Sequence, residues 1–122
     1  MTNVDENTVY TIYTKLIEVA RNRGLITYYE LNKILPNKNY KNFLNPFQPL
    51  FDNLNALNNQ LHEEKKPLIT SLVINKKTGK PGKGFFYVAK ELKIFDGNPE
   101  NIEEKDDFWL NEKLKVYKFD WK

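Results

Sequence analysis

The chain has 122 residues, 40% of them hydrophobic and 14% aromatic, which is enough for one compact domain with a packed core. It contains no cysteine, which excludes a disulfide framework, a thiolate metal site and a cysteine nucleophile. The N-terminus lacks the pattern of a secretory signal, and no apolar run approaches the roughly 18 residues of a membrane span, so we expect a soluble, cytoplasmic protein without membrane association.

The net charge of +3 is distributed unevenly along the chain. Residues 1–64 carry −1, residues 65–95 carry +7, and residues 96–122 carry −3. Such clustering of lysines focuses positive potential on one part of the surface, which favours an anionic partner. The alternative is a solvated lysine-rich face in a chain that uses lysine and asparagine throughout.

Two helices are predicted near the N-terminus. Apolar residues at steps of three and four predict a first helix over residues 8–23, with Gly24 as its C-terminal stop. Thr27 and Glu30 have the spacing of a capping box, so a short second helix should begin there and end at Pro36. A polar loop should then run through Asn45.

A third helix is predicted from about Pro46. Its apolar stripe is formed by Phe47, Leu50, Phe51, Leu54, Leu57 and Leu61. Its other face carries Gln48, Asn53, Asn55, Asn58, Asn59 and Gln60. Side-chain amides can read adenine edges in a major groove, so Asn55 and Asn59 are candidate base contacts, although the same residues are common on any solvated helix.

The segment from Pro67 to Phe86 leads from an apolar run into a cationic loop. The β-branched residues predict a strand over residues 68–75, and the loop holds Lys76, Lys77, Lys80 and Lys83 among Gly79, Gly82 and Gly84. Glycines let the backbone approach a ligand closely while lysines supply charge, a combination that suits phosphates. Residues 85–92 could be a return strand or a short helix.

The remaining chain divides into an acidic segment and an aromatic end. Residues 96–107 are predicted to form an exposed acidic connection, and residues 108–122 a C-terminal helix. Trp109, Tyr117 and Trp121 should dock onto the core; the alternative is that they form a partner-binding surface.

Three helices followed by a strand and a glycine-containing loop is the order of a winged helix, so we expect an α+β, winged-helix-like single domain with residues 1–95 as its core. Leu25-Ile26-Thr27-Tyr28-Tyr29-Glu30-Leu31 also resembles the second-helix segment of the alkylguanine alkyltransferases and alkyltransferase-like proteins. The resemblance implies a DNA-binding domain in which Tyr28 packs against a phosphate. With Lys33, Tyr28 would lie near the DNA backbone.

Two motifs of that family are missing. The active-site P-C-H-R-V segment corresponds at best to Pro67-Leu68-Ile69-Thr70, without cysteine, histidine or arginine, so alkyl transfer is excluded. The arginine-led R-A-V-G recognition helix has no counterpart. The Pro67 to Phe86 segment also resembles small bacterial and phage proteins of unassigned activity, some of them associated with restriction or other defence genes.

No catalytic constellation is present in the sequence. His62 is the only histidine, which excludes an H-E-x-x-H zinc site, and we expect neither a metal nor a cofactor. The sequence therefore predicts a non-enzymatic protein that binds double-stranded DNA. The alternative is a protein-interaction module, such as a phage or defence accessory factor or inhibitor, that binds an acidic or apolar surface of another protein.

Overall fold

In a computed structural model of the chain, side chains from every described helix meet in one hydrophobic core. The structure describes residues 4–36 and 47–121. In chain order its elements are α1 (Glu6–Arg21), β1 (Ile26–Thr27), α2 (Tyr28–Lys33), α3 (Gln48–Glu63), β2 (Val73–Ile74), α4 (Lys83–Glu91) and α5 (Ile102–Lys118). These five helices and one small parallel sheet form an α+β fold. None of the helices in the described ranges combines the length and apolar character needed to cross a membrane.

The three predicted N-terminal helices are present. The capping box of α2 is confirmed: the Thr27 hydroxyl accepts a hydrogen bond from the Glu30 amide at 3.1 Å, and the Glu30 carboxylate accepts one from the Thr27 amide at 3.1 Å. The hydrogen bonds that the Thr27 amide and hydroxyl donate to the Glu30 carboxylate lower the pKa of that carboxyl group. Pro46 and the predicted loop through Asn45 lie outside the described residues.

The predicted strand over residues 68–75 is mostly wrong. Ile69–Leu72 form a turn of 3₁₀ helix, and only Val73–Ile74 are extended. This strand pairs in parallel with β1, Val73 opposite Ile26. An apolar run indicates burial more directly than it indicates a strand. Here residues 68–73 are buried, but most of them are not extended.

Residues 85–91 are helical rather than a return strand, and Leu92 follows the helix end. Phe85, Phe86 and Ala89 repeat at helical spacing and are buried on one face of α4. The glycine- and lysine-rich segment is therefore a turn from a strand into a helix, and Lys83 is the first residue of α4. No antiparallel hairpin follows β2 in the part of the chain that the structure describes.

The acidic connection is shorter than predicted because α5 begins at Ile102. The Asn101 side chain accepts a hydrogen bond from the Glu104 amide at 3.0 Å and so caps the helix. Glu103 and Glu104 lie in its first turn, where negative charge interacts favourably with the helix dipole. Only residues 96–101 remain as a connection.

Three helices are followed, two positions after their last residue, by a basic residue in the left-handed backbone region. Arg23, Lys65 and Lys93, which follow α1, α3 and α4, have φ values of 52°, 58° and 63°. The predicted stop at Gly24 is therefore one residue late, because the reversal of the chain occurs at Arg23. After α4, the Ile94 amide donates to the Ala89 carbonyl oxygen at 3.0 Å, which closes the helix end.

Candidate functional site

A cavity of about 370 Å³ lies between α3 and the first turn of α4; we refer to it as the α3–α4 cavity. Its apolar wall is formed by Tyr28, Phe51, Leu54 and Phe85. Its polar groups come from Asn55, Asn58, Thr70, Asn75, Lys83 and the backbone of Gly82 and Gly84. The lining contains no carboxylate, so its only formal charge is the positive charge of Lys83.

Tyr28 connects α2 to the beginning of α4. Its hydroxyl oxygen accepts a hydrogen bond from the Gly82 amide at 2.8 Å, and its ring contacts the edge of the Phe51 ring, with centroids 5.6 Å apart. Burial raises the pKa of the Tyr28 hydroxyl, and the hydrogen bond from Gly82 opposes that shift in part. The hydroxyl proton remains available to donate to a ligand in the cavity.

Asn58 is buried at the cavity wall, which contradicts its predicted place on an exposed polar face. Its side chain is 2% exposed and its amide oxygen accepts a hydrogen bond from the Thr70 hydroxyl. Its amide nitrogen has no hydrogen-bond partner among residues 4–36 and 47–121. Asn53 is likewise buried rather than exposed; its oxygen accepts a hydrogen bond from the Asp5 amide at 2.9 Å.

The lysine turn, residues 75–82, joins β2 to α4. The Asn75 amide donates to the Lys80 carbonyl oxygen at 2.8 Å, and the Gly79 amide donates to the Asn75 carbonyl oxygen at 2.8 Å. Gly79 has a φ of 71°, a conformation that glycine adopts without a steric penalty. These hydrogen bonds give the backbone of the turn a defined conformation, which fixes where its lysine side chains start.

The predicted phosphate-binding lysines differ in their surroundings. Lys76, Lys77 and Lys83 are exposed and form no ion pair with any residue in the described ranges. Lys80 is half-buried and forms an ion pair with Asp106 of α5 at 3.0 Å. Three of the four predicted lysines are thus free to meet an anion, whereas the fourth is already neutralised within the protein.

The first turn of α4 adds an electrostatic feature to the cavity. Gly82 is its N-cap and supplies no side chain to cap the helix. Lys83 and Gly84, the first two residues of the helix, both line the cavity. Unpaired amides at a helix N-terminus attract negative charge, and the Lys83 ammonium group acts in the same direction.

Of the other predicted DNA contacts, one lines the cavity and two do not. Asn55 is exposed and lines the cavity, and the Asn59 side chain, which does not line it, donates to the Asn55 carbonyl oxygen at 2.9 Å. The Lys33 ammonium group lies over the Tyr29 ring, 4.3 Å from its centroid. The structure therefore brings Tyr28, Asn55 and Lys83 together, while Asn59 and Lys33 do not line the cavity.

The C-terminal aromatic residues dock onto the rest of the fold. The Trp109 indole donates to the Ser71 carbonyl oxygen at 2.8 Å, and the Tyr117 hydroxyl donates to the Gly24 carbonyl oxygen at 2.7 Å. Trp121 is buried, and its ring meets the Tyr13 ring edge-on with centroids 6.0 Å apart. Trp121 is buried, whereas Trp109 and Tyr117 remain partly exposed.

Sequence reasoning missed the buried pair Asn58 and Thr70 and a second basic surface. That surface is a groove of about 560 Å³ whose lining includes His62, Lys65, Lys66, Lys115 and Lys118. It combines the ends of α3 and α5, which no local pattern connects. His62 is exposed in the last turn of α3. Across the described residues, no cluster of histidine, aspartate or glutamate could hold a metal ion.

No protein-family model, curated protein or solved structure shows detectable similarity to this chain.

Proposed function

We propose that the protein binds double-stranded DNA without catalysis, through a winged-helix-like arrangement in which the lysine turn takes the place of a hairpin wing. The observation that carries the proposal is that Asn55 of α3 lines the same cavity as Asn75 and Gly82, the two ends of the lysine turn. The exposed edge of α3 and the cationic turn therefore share one face of the molecule. A duplex on that face could meet both at once.

Electrostatic attraction to phosphates would supply most of the affinity. Lys76, Lys77 and Lys83 can each approach a phosphate oxygen, and each contact releases condensed counterions from the duplex. The glycines of the turn allow close backbone approach. Tyr28 would support the turn through Gly82, and Asn55 would contribute limited reading of base edges.

The test is fluorescence anisotropy with a labelled duplex of arbitrary sequence over a range of salt concentrations. We compare the unmodified protein with the Lys76→Ala/Lys77→Ala variant. If both lysines contact phosphates, the slope of log affinity against log salt should fall by about 2 units, because each contact contributes about 0.9.

The matched control is Lys15→Ala/Lys118→Ala, which removes the same formal charge from α1 and the end of α5. Lys15 forms a surface ion pair with Glu18 at 3.1 Å, so its loss should cost little stability. This variant should keep the original slope. Equal losses in both variants would indicate a general charge effect and would overturn the role of the lysine turn.

A protein-interaction module is the second candidate, and α5 carries the observation that favours it. Ile102, Leu110 and Leu114 are 65%, 51% and 43% exposed, and Leu110 and Leu114 lie one helical turn apart. An apolar surface of a phage or defence protein could pack there. In that case duplex binding would be absent even at low salt, and a Leu110→Ser/Leu114→Ser variant would lose the partner that co-purifies with the unmodified protein.

A further inference from the structure

We propose that the α3–α4 cavity binds a small aromatic carboxylate that carries a polar substituent on its ring. The ring would lie against Phe51, Leu54 and Phe85, the carboxylate at the first turn of α4 beside Lys83, and the substituent at Asn58. The ligand would enter the cavity, whereas a duplex would lie across Lys76 and Lys77 outside it; Lys83 is common to both proposals.

The size and the apolar wall of the cavity fit a ligand with one or two rings. Small-molecule sites usually measure about 300–1,000 Å³, and this cavity, at about 370 Å³, is at the lower end of that range. Leu54 and Phe85 are buried while still lining it. An aromatic ring placed there would remove further apolar surface from water.

The charged end of the ligand follows from the first turn of α4. This helix has nine residues, no side chain caps its N-terminus, and the lining contains Lys83 but no carboxylate. An anion at that position would accept hydrogen bonds from backbone amides and interact with the Lys83 ammonium group. A cation would find no carboxylate among the lining residues and would be repelled by the Lys83 ammonium group.

The polar substituent follows from Asn58. Its side chain is 2% exposed, yet only one of its two terminal atoms has a hydrogen-bond partner within the described ranges, the hydroxyl of Thr70. The amide nitrogen therefore has an unused donor at the cavity wall, and a ligand group that accepts from it gains a hydrogen bond. A ring hydroxyl can donate and accept, and therefore suits Asn58 in either orientation of its amide.

The experiment is a titration of ¹⁵N-labelled protein followed by NMR, with benzoate, 4-hydroxybenzoate and indole-3-acetate as probes. We expect saturable binding of 4-hydroxybenzoate with shifts of the Gly82 and Gly84 amide signals. Neutral 4-hydroxybenzamide should bind about tenfold more weakly, equivalent to about 1.4 kcal/mol. Saturable binding of none of the three carboxylates, or equal affinity for the benzamide, would overturn the proposal.

Two variants locate the ligand within the cavity. Lys83→Ala should weaken 4-hydroxybenzoate binding severalfold without affecting 4-hydroxybenzamide. Asn58→Leu, which keeps nearly the same shape but removes the polar atoms, should weaken binding of both. Because Asn58 is buried, its variant could fail to fold; Lys83 is exposed and keeps the test decisive. The control Lys76→Ala removes a nearby charge that does not line the cavity. A loss equal to that of Lys83→Ala would show nonspecific attraction and overturn the site.

This test separates the ligand site from the DNA proposal. Lys76→Ala/Lys77→Ala should lower duplex binding and leave 4-hydroxybenzoate binding intact. Asn58→Leu, where folded, should do the reverse. If the carboxylates fail to bind while the salt slope behaves as expected, the ligand proposal alone is overturned.

Discussion

Tyr28 and Gly82 are 54 residues apart in sequence, and a hydrogen bond of 2.8 Å joins the hydroxyl oxygen of the first to the backbone amide of the second. Tyr28 begins α2 and Gly82 caps α4. The bond therefore connects the capping-box segment to the end of the lysine turn. Because of this hydrogen bond, the position of the lysine turn depends on α2, which lies much earlier in the sequence.

Replacing Tyr28 with Phe should test this connection. The substitution keeps the ring against Phe51 but leaves the Gly82 amide without its acceptor, so we expect a loss of about 1 kcal/mol in the free energy of unfolding. Chemical denaturation measures it. Tyr29→Phe is the control, because the Tyr29 side chain is 58% exposed; an equal loss in that variant would contradict the assigned role.

The same tyrosine should make stability depend on alkaline pH. Burial raises the pKa of Tyr28 in the folded state above its value in the unfolded chain. Its contribution is therefore complete below the unfolded pKa of about 10 and is lost as the pH rises through the folded value. Denaturation at increasing pH should show a steeper decline for the unmodified protein than for Tyr28→Phe. Parallel declines would contradict the prediction.

Asp106 should restrain DNA binding, given the function proposed above. Its carboxylate pairs with Lys80 at 3.0 Å and so removes one lysine from contact with phosphates. Asp106→Asn should tighten duplex binding and steepen the salt slope by about 1 unit if the released lysine reaches the backbone. Asp107→Asn, which changes the same charge at the next position, should tighten binding less. Indistinguishable effects would point to net charge alone.

Glu112 should be the most sensitive position of α5. Its side chain is buried, and the carboxylate accepts a hydrogen bond from the Leu68 amide at 2.8 Å. Glu112→Ala leaves a buried donor unpaired and should cost about 2 kcal/mol, whereas Glu112→Gln keeps an acceptor and should cost less. Thermal unfolding measures the stability of both variants. The control is Glu103→Ala, whose side chain is exposed and whose melting temperature should hardly change. Equal stability of Glu112→Ala and Glu103→Ala would refute the assignment.

Lys93 offers a stabilising substitution. Its φ of 63° is strained for a side-chain-bearing residue, and glycine relieves that strain. Lys93→Gly should raise the free energy of unfolding by about 1 kcal/mol, with part of the gain offset by the greater freedom of glycine in the unfolded chain. The control Lys90→Gly lies inside α4 and should destabilise instead. A lower melting temperature for Lys93→Gly would contradict this account.

Local sequence patterns predicted the helices better than the strands. The apolar stripes of α1 and α3 repeat with the helical period and are buried or half-buried, and the capping box of α2 has its own local chemistry. The run after Pro67 failed as a strand because β-branched residues indicate burial but do not choose between extended and 3₁₀ backbone. Gly82 and Gly84, before and within the first turn of α4, disfavour a helix by propensity, but packing of Phe85 and Phe86 stabilises it.

The prediction that residues 96–107 form a connection was partly wrong for a related reason. Its charges indicated exposure, which is correct for most of residues 96–104, but the same acids favour a helix start when they follow an asparagine cap. Of the site, the lysines and Tyr28 were visible in the sequence. Asn58 and Thr70 were not, because their meeting depends on how α3 rotates against the segment after Pro67.

The burial of Trp121 limits how the protein can be dissected. Its backbone carbonyl oxygen accepts a hydrogen bond from the Arg21 side chain, and its ring packs on Tyr13. Both contacts join the residues after α5 to α1. A deletion that removes it opens the core. Loss of activity in chains shortened from this end would therefore report misfolding, and interaction surfaces on this molecule are better mapped by point substitution.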